Sequence, residues 1–138
     1  MVSLRITLPQ GRYHATPWGH HVNEGLVEWP PSPWRLLRAL VSTGYTKLGW
    51  TEMPQVAVDL FATLASTLPE YRLPRATAAH SRHYMPVIEG KKQNTTKVID
   101  AFVRTDVGAA IGVRWSCDLS DGAREMLRAL VERLVDLD

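Results

Sequence analysis

Three of the five histidines and three of the five tryptophans fall between Gly11 and Leu40, in GRYHATPWGHHVNEGLVEWPPSPWRLLRAL. Four kinds of chemistry suit such a stretch. His14, His20 and His21 suggest metal ligation, but adjacent His20 and His21 face opposite ways in an extended chain. No nearby Cys or Asp completes a ligand set. A histidine titrating near neutral pH beside a ribose 2′-hydroxyl suits general acid–base work on RNA. Imidazole and indole rings also stack on bases while Arg12 meets phosphate. The plainest alternative is a loop packed by its own aromatics, with Trp18, Trp29 and Trp34 plugging the edge of a core.

Charge is distributed unevenly. The 138-residue chain carries a formal net charge of only +2. Between Arg72 and Arg104, however, Arg72, Arg75, Arg82, Lys91, Lys92, Lys97 and Arg104 are opposed by Glu89 and Asp100 alone. His80 and His83 lie in the same stretch. A basic stripe of this kind suits an anionic partner, and equally a solvated surface. Apolar content of 45% fits a globular chain, and the length predicts one domain around one core. No apolar run reaches the roughly 18 residues of a membrane span. MVSLRITLPQGR has no apolar core of a secretory leader. Cys117 has no partner in the sequence, so no internal disulfide is expected, and a cytoplasmic setting is.

The elements that must position these residues follow from periodicity. VSLRITL alternates, with Val2, Leu4, Ile6 and Leu8 on one face, as in a half-buried strand. Gly11 to Pro31 has no sustained period and predicts a long structured loop with a short strand at LVEW. Ser32 as N-cap and Pro33 at the first helical position open a helix. Its apolar stripe is read as Trp34, Leu37, Leu40, Val41 and Leu48, and Gly49 ends it. A second helix is expected from about Met53 to Ser66. Pro69 to Pro86 predicts short interrupted strands, because Pro74 and Pro86 exclude a central one. GKKQN is polar and is expected to be mobile. KVIDAFVRT and AAIGVRWSC read as two strands joined by a hairpin turn at DVG, with Gly108 at positive φ. Ser120 then caps a helix with the stripe Leu127, Leu130, Val131 and Leu134. The expected class is α+β, in the ferredoxin-like (RRM-like) βαββαβ order with the last strand missing at the C-terminus. That places residues 1–138 in a single domain, read as the N-terminal fragment of a longer chain.

The segments GRYHATPWGHHVNEG, VEWPPSPWRLLRAL, SRHYMP and TTKVIDAFV resemble one CRISPR-associated family. It is the type I-G (formerly I-U) subunit that fuses a Cas-five-type half to a Cas-six-type half. The resemblance covers most of Val2 to Val103 and corresponds to the Cas-five-type half. It implies a repeat-associated RNA-binding fold and a place in a crRNA-guided surveillance complex in antiviral defence. The Cas-five-type half would hold the 5′ handle of the crRNA, and the Cas-six-type half, which would cut repeat transcripts without metal, is absent here. The expected partners are crRNA, other effector-complex subunits, and the missing half or a partner strand, with no membrane and no cofactor. RNA contact is assigned to Arg12, His14, Trp18 and His20 in the loop, and to Arg82, His83, Lys91, Lys92 and Lys97 in the basic segment. Two alternatives remain at this level. One is a metal-independent endoribonuclease using His14 or His20, and the other is a protein-interaction domain docking a neighbouring subunit.

Overall fold

The computed structural model describes residues 1–20, 26–89 and 92–134, with residues 82–89 and 92–100 described by their backbone. His21 and Glu24 of the loop, and Gly90 and Lys91 of the polar tip, lie outside these. The elements run β1 (Val2–Leu8), β2 (Arg12–Tyr13), α1 (Pro33–Thr46), α2 (Gln55–Ala65), β3 (Glu70–Arg72), β4 (Thr77–Glu89), β5 (Lys92–Arg104), β6 (Ala109–Trp115) and α3 (Asp121–Arg133). The protein is α+β, with two small antiparallel sheets ordered β1-β6-β3 and β2-β5-β4. It divides into two compact units. The first comprises Met1–Thr7, Pro30–Leu73 and Ala110–Asp138, and the second Leu8–Trp29 and Pro74–Ala109. Among the described residues no helix is long and apolar enough to cross a membrane.

In the first unit the sequence signals act locally. Ser32 Oγ accepts from the Arg35 N–H (3.1 Å), and Ser120 Oγ from the Ala123 N–H (3.2 Å), each satisfying an amide that the helix cannot. Ile111, Val113 and Trp115 alternate into the core, as the period-two pattern requires. On β6, Arg114 pairs across the strands with Glu70 of β3 (2.8 Å). Both side chains are largely exposed, so this cross-strand pair contributes no more than about 1 kcal/mol. Leu36, Leu40, Ala57, Leu60, Leu64, Leu127 and Leu130 complete the core from the three helices.

Two helix faces differ from the expected stripes. On α1 the buried residues are Leu36, Leu40, Thr43 and Gly44, whereas Trp34 is 62% exposed. Thr43 is tolerated inside because its hydroxyl donates to the Ala39 carbonyl (2.8 Å). Gly44 is required because the Trp50 ring lies on it. A Cβ at that position would stand 2.2 Å from the indole. On α3 the inner row is Ala123, Leu127 and Leu130, and Val131 is 38% exposed. In addition, α2 begins at Gln55, with Pro54 at the N-cap.

The second unit holds the larger departures. Leu26 to Trp29 forms no strand, and its loop is paired instead through Arg12 and Tyr13, opposite Arg104 and Val103. The expected interruption falls at Pro74, between the short β3 and β4, whereas β4 runs unbroken through Pro86 for 13 residues. Pro86 fits within it because β4 is the edge of its sheet, where a missing donor is harmless. The DVG segment makes a turn, with Gly108 at φ 78° and the Ala109 N–H donating to Asp106 O (3.1 Å). It does not close a hairpin, since β5 and β6 belong to different sheets. Backbone hydrogen bonds tie it and the preceding Thr105 to the turn after β1. Leu8 O accepts from Gly11 N–H (3.1 Å) and Gly108 N–H (2.9 Å), and Gly11 O accepts from Thr105 N–H (2.8 Å).

The Gly44 contact gives a test with an inverted sign. In a helix interior Gly→Ala ordinarily stabilises by up to about 1 kcal/mol. Gly44→Ala is expected to destabilise by about 1–3 kcal/mol, because the indole has to move. Urea denaturation followed by tryptophan fluorescence measures this. A stabilised variant would contradict the packing described.

Candidate nucleic-acid interface

The second sheet builds the site from its backbone outward. Register sets Arg12 opposite Arg104, and Arg104 opposite Thr77. The next row is Tyr13, Val103 and Ala78. Side chains of successive rows take opposite faces. Tyr13, Ala101 and Val103 are accordingly buried, while Arg12 and Arg104 are exposed. The Arg12 guanidinium lies 4.7 Å over the Phe102 ring. Two like charges directly opposed across strands cost stability unless an anion lies between them. Two exposed guanidiniums, one backed by an aromatic face, are suited to bidentate capture of phosphate.

The loop is anchored beside this row. Tyr13 and Trp29 meet at 5.6 Å between ring centroids, tilted by 57°. The Glu28 N–H donates to Ala15 O (2.9 Å). A mostly apolar cavity of about 320 Å³ opens between Leu26, Val27 and Trp29 and the strand residues Ala78 and Phe102. His14 Nδ1–H donates to Ala101 O (2.7 Å), which ties the loop to β5.

Trp18 is displayed by a turn. His20 N–H donates to Pro17 O (3.1 Å), and Gly19 has φ 80°. Trp18 thus occupies the second position of a four-residue turn whose third position needs positive φ. It is 81% exposed, so it does not plug a core edge. Trp29 is half-buried, and His20 is exposed.

The basic segment is divided by register. His83 faces Val98 and Lys92 faces Glu89, in rows of the same parity as Arg12 and Arg104. Arg82 (opposite Ile99) and Lys97 (opposite Tyr84) hold rows of the other parity. Along β5, Lys92 lies about 40 Å from Arg104 at roughly 3.3 Å per residue. Lys91 is outside the described residues. Arg12, His14, Trp18 and His20 therefore follow one another closely along β2 and the loop after it, and Arg82, His83, Lys92 and Lys97 are spread along a long hairpin of the same unit.

Sequence reasoning counted Arg104 as a cation but did not place it in the site, and it overlooked Phe102. Alternation in AFVR puts those two on one strand face, but only the register with Arg12 joins them to the loop. For the metal reading, no group of three or more His, Cys, Asp or Glu comes together among the described residues. Comparison with models of protein families, with curated proteins and with solved structures gives no match.

Exposure of Trp18 predicts a mild effect on stability. Trp18→Ala should change the unfolding free energy by no more than about 0.5 kcal/mol, the usual range for surface substitutions. A buried tryptophan would cost about 3–5 kcal/mol. Chemical denaturation separates the two outcomes.

Proposed function

We propose that this chain is an RNA-binding scaffold subunit that holds the 5′ handle of a crRNA in a type I CRISPR surveillance complex. The observation that carries the reading is the exposed Trp18, presented in the same unit as the Arg12–Arg104 row and the basic hairpin. A stacking ring and a phosphate-binding pair are the two elements that single-stranded RNA recognition combines. The proposed partners are crRNA and neighbouring effector subunits, in the cytoplasm.

The finer fold assignment belongs to the same proposal. The reading is supported by the β1-β6-β3 order, with α1 and α2 between β1 and β3 and with α3 after β6, which would correspond to the first three strands of a ferredoxin-like sheet. Among the described residues β1 forms one edge of that sheet. A cavity of about 230 Å³ is lined by Val2 and Leu4 of β1 and by Leu127 and Val131 of α3. We assign this edge to the fourth strand, supplied by a Cas-six-type half or by a partner.

Two separable contributions are expected in binding. If about four phosphates are neutralised, log K should fall with log salt at a slope near −3, at about −0.7 per contact. Arg12→Ala with Arg104→Ala should make that slope shallower by about 1.4 for any RNA sequence. Trp18→Ala should cost about 1–3 kcal/mol of affinity and leave the slope unchanged. Fluorescence anisotropy with labelled repeat RNA at several salt concentrations reads both. If the folded Trp18 and arginine variants all bind like the parent protein, the proposed interface is wrong.

The second reading is metal-independent cleavage, in which His14 or His20 of the loop would act as general base at a 2′-hydroxyl. No cleavage of a repeat transcript is expected from this chain. Products ending in 2′,3′-cyclic phosphate, lost in His14→Ala, would replace the scaffold reading with the nuclease one.

A further inference from the structure

The first unit carries a hollow that its own packing does not require. Ile111, Val113 and Trp115 of β6 are buried, so Gly112 and Arg114 face outward on the central strand of the β1-β6-β3 sheet. Gly112 stands directly opposite Arg72 of β3. Its φ lies outside the left-handed region, and a Cβ there would meet the Arg72 Cβ at 3.4 Å, an ordinary contact distance. Neither backbone conformation nor packing calls for glycine, although glycine weakens a strand interior. Its missing side chain leaves an opening of about 380 Å³ on the outer face, walled by Ser3, Glu70, Arg72 and Arg114. A glycine of this kind marks a place where a ligand or another backbone approaches closely.

The groups around the opening select its occupant. The Arg72 and Ser3 side chains have no hydrogen-bond or ion-pair partner among the described residues. Arg114 is held by Glu70 (2.8 Å) in an exposed pair, which an incoming anion reopens at little cost. Arg5 is exposed on the same face, two residues beyond Ser3. Three arginines against one carboxylate leave the face positive. No outward position of the three strands carries a large apolar or aromatic side chain. An acidic protein would therefore gain only exposed ion pairs, each worth little. A second copy of the chain would set arginine against arginine, and a base would find no ring to stack on. A phosphate group fits. Its oxygens accept at once from the Arg72 and Arg114 guanidiniums and from the Ser3 hydroxyl, on three strands around the opening, whereas a carboxylate has only two oxygens to share among them. The opening is shallow and unenclosed, unlike the site of a small ligand, which buries most of its surface. A phosphodiester in a strand suits it, because the rest of the strand binds elsewhere. We propose that the hollow over Gly112 holds a backbone phosphate of single-stranded RNA, without regard to sequence. The proposal rests on RNA as the partner of this chain and adds a phosphate site in the first unit.

The test titrates the full chain, labelled with nitrogen-15, with short single-stranded RNAs of unrelated sequence. The Gly112 and Arg72 amide resonances should shift saturably and alike for every sequence, and inorganic phosphate alone should move them only at far higher concentration. In anisotropy measurements on labelled RNA, Arg72→Ala with Arg114→Ala should make the log K against log salt slope shallower by about 1.4. Glu70→Gln should tighten binding about threefold, because it removes a like charge and releases Arg114. Gly112→Val should abolish the shift at Arg72 while raising the melting temperature, since valine suits a strand better than glycine. Loss of binding with a gain of stability is an outcome that unfolding cannot produce. RNA binding that depends on Trp18, Arg12 and Arg104 but leaves Gly112 unshifted overturns this site and spares the interface of the second unit. Shifts at Gly112 with no response to the Trp18, Arg12 and Arg104 variants do the reverse. Absence of any RNA binding overturns both. Equal shifts with a polyglutamate peptide would make the hollow a protein contact, and tight binding of inorganic phosphate without RNA would make it a site for a free phosphorylated molecule; either result overturns the proposal.

Discussion

The second unit depends on two carbonyl groups. Leu8 O accepts from both Gly11 and Gly108, and Gly11 O accepts from Thr105. These bonds lock the turn after β1 to the turn after β5. Arg12 follows immediately on one side, and Arg104 precedes immediately on the other. The opposed arginines are therefore a product of backbone hydrogen bonding, and no side-chain attraction holds them together. Gly11 is necessary on two counts: its φ is 65°, and a Cβ there would stand 2.5 Å from Thr105 O. Any other residue would strain the turn or push the two segments apart.

How much was legible in the sequence depends on the range of the interaction. Ser32 with Pro33, and Ser120, gave the starts of α1 and α3 because a cap acts within three residues. Ile111, Val113 and Trp115 gave β6 because alternation needs no partner to be recognised. The core face of α1 was misjudged because apolar residues lie on both sides of that helix. Tertiary packing buries Leu36, Leu40, Thr43 and Gly44, and periodicity alone does not tell that side from the other. Pro86 excluded a central strand, and β4 is an edge, but the length of an unbroken edge strand could not be read from it. Whether β4 is central or an edge is a property of the sheet.

The candidate site shows the same divide. Residue types in the loop singled out Trp18 as a residue to weigh. Whether it packs or protrudes depended on the Pro17–His20 turn, whose hydrogen bond cannot be inferred from composition. Arg104 lies about ninety residues from Arg12 in the chain, and only strand register brings them opposite each other. The basic segment looked like one patch in the sequence. Register separates Arg82 and Lys97 from His83 and Lys92, since a strand deals alternate residues to opposite faces.

The pairing of β2 with β5 also carries a kinetic consequence. β4 and β5 are neighbours in the chain and pair from Glu89 opposite Lys92 back to Thr77 opposite Arg104. Such a hairpin can zip from its turn on a microsecond scale. Joining Arg12 to Arg104 instead closes a loop of about ninety residues, at an entropic cost that local pairing does not bear. High sequence separation of this kind slows folding. The hairpin is thus an early structure and the arginine row a late one. During synthesis the loop that carries Trp18 emerges long before β5 exists to receive it, so phosphate-binding geometry is among the last features that the nascent chain acquires.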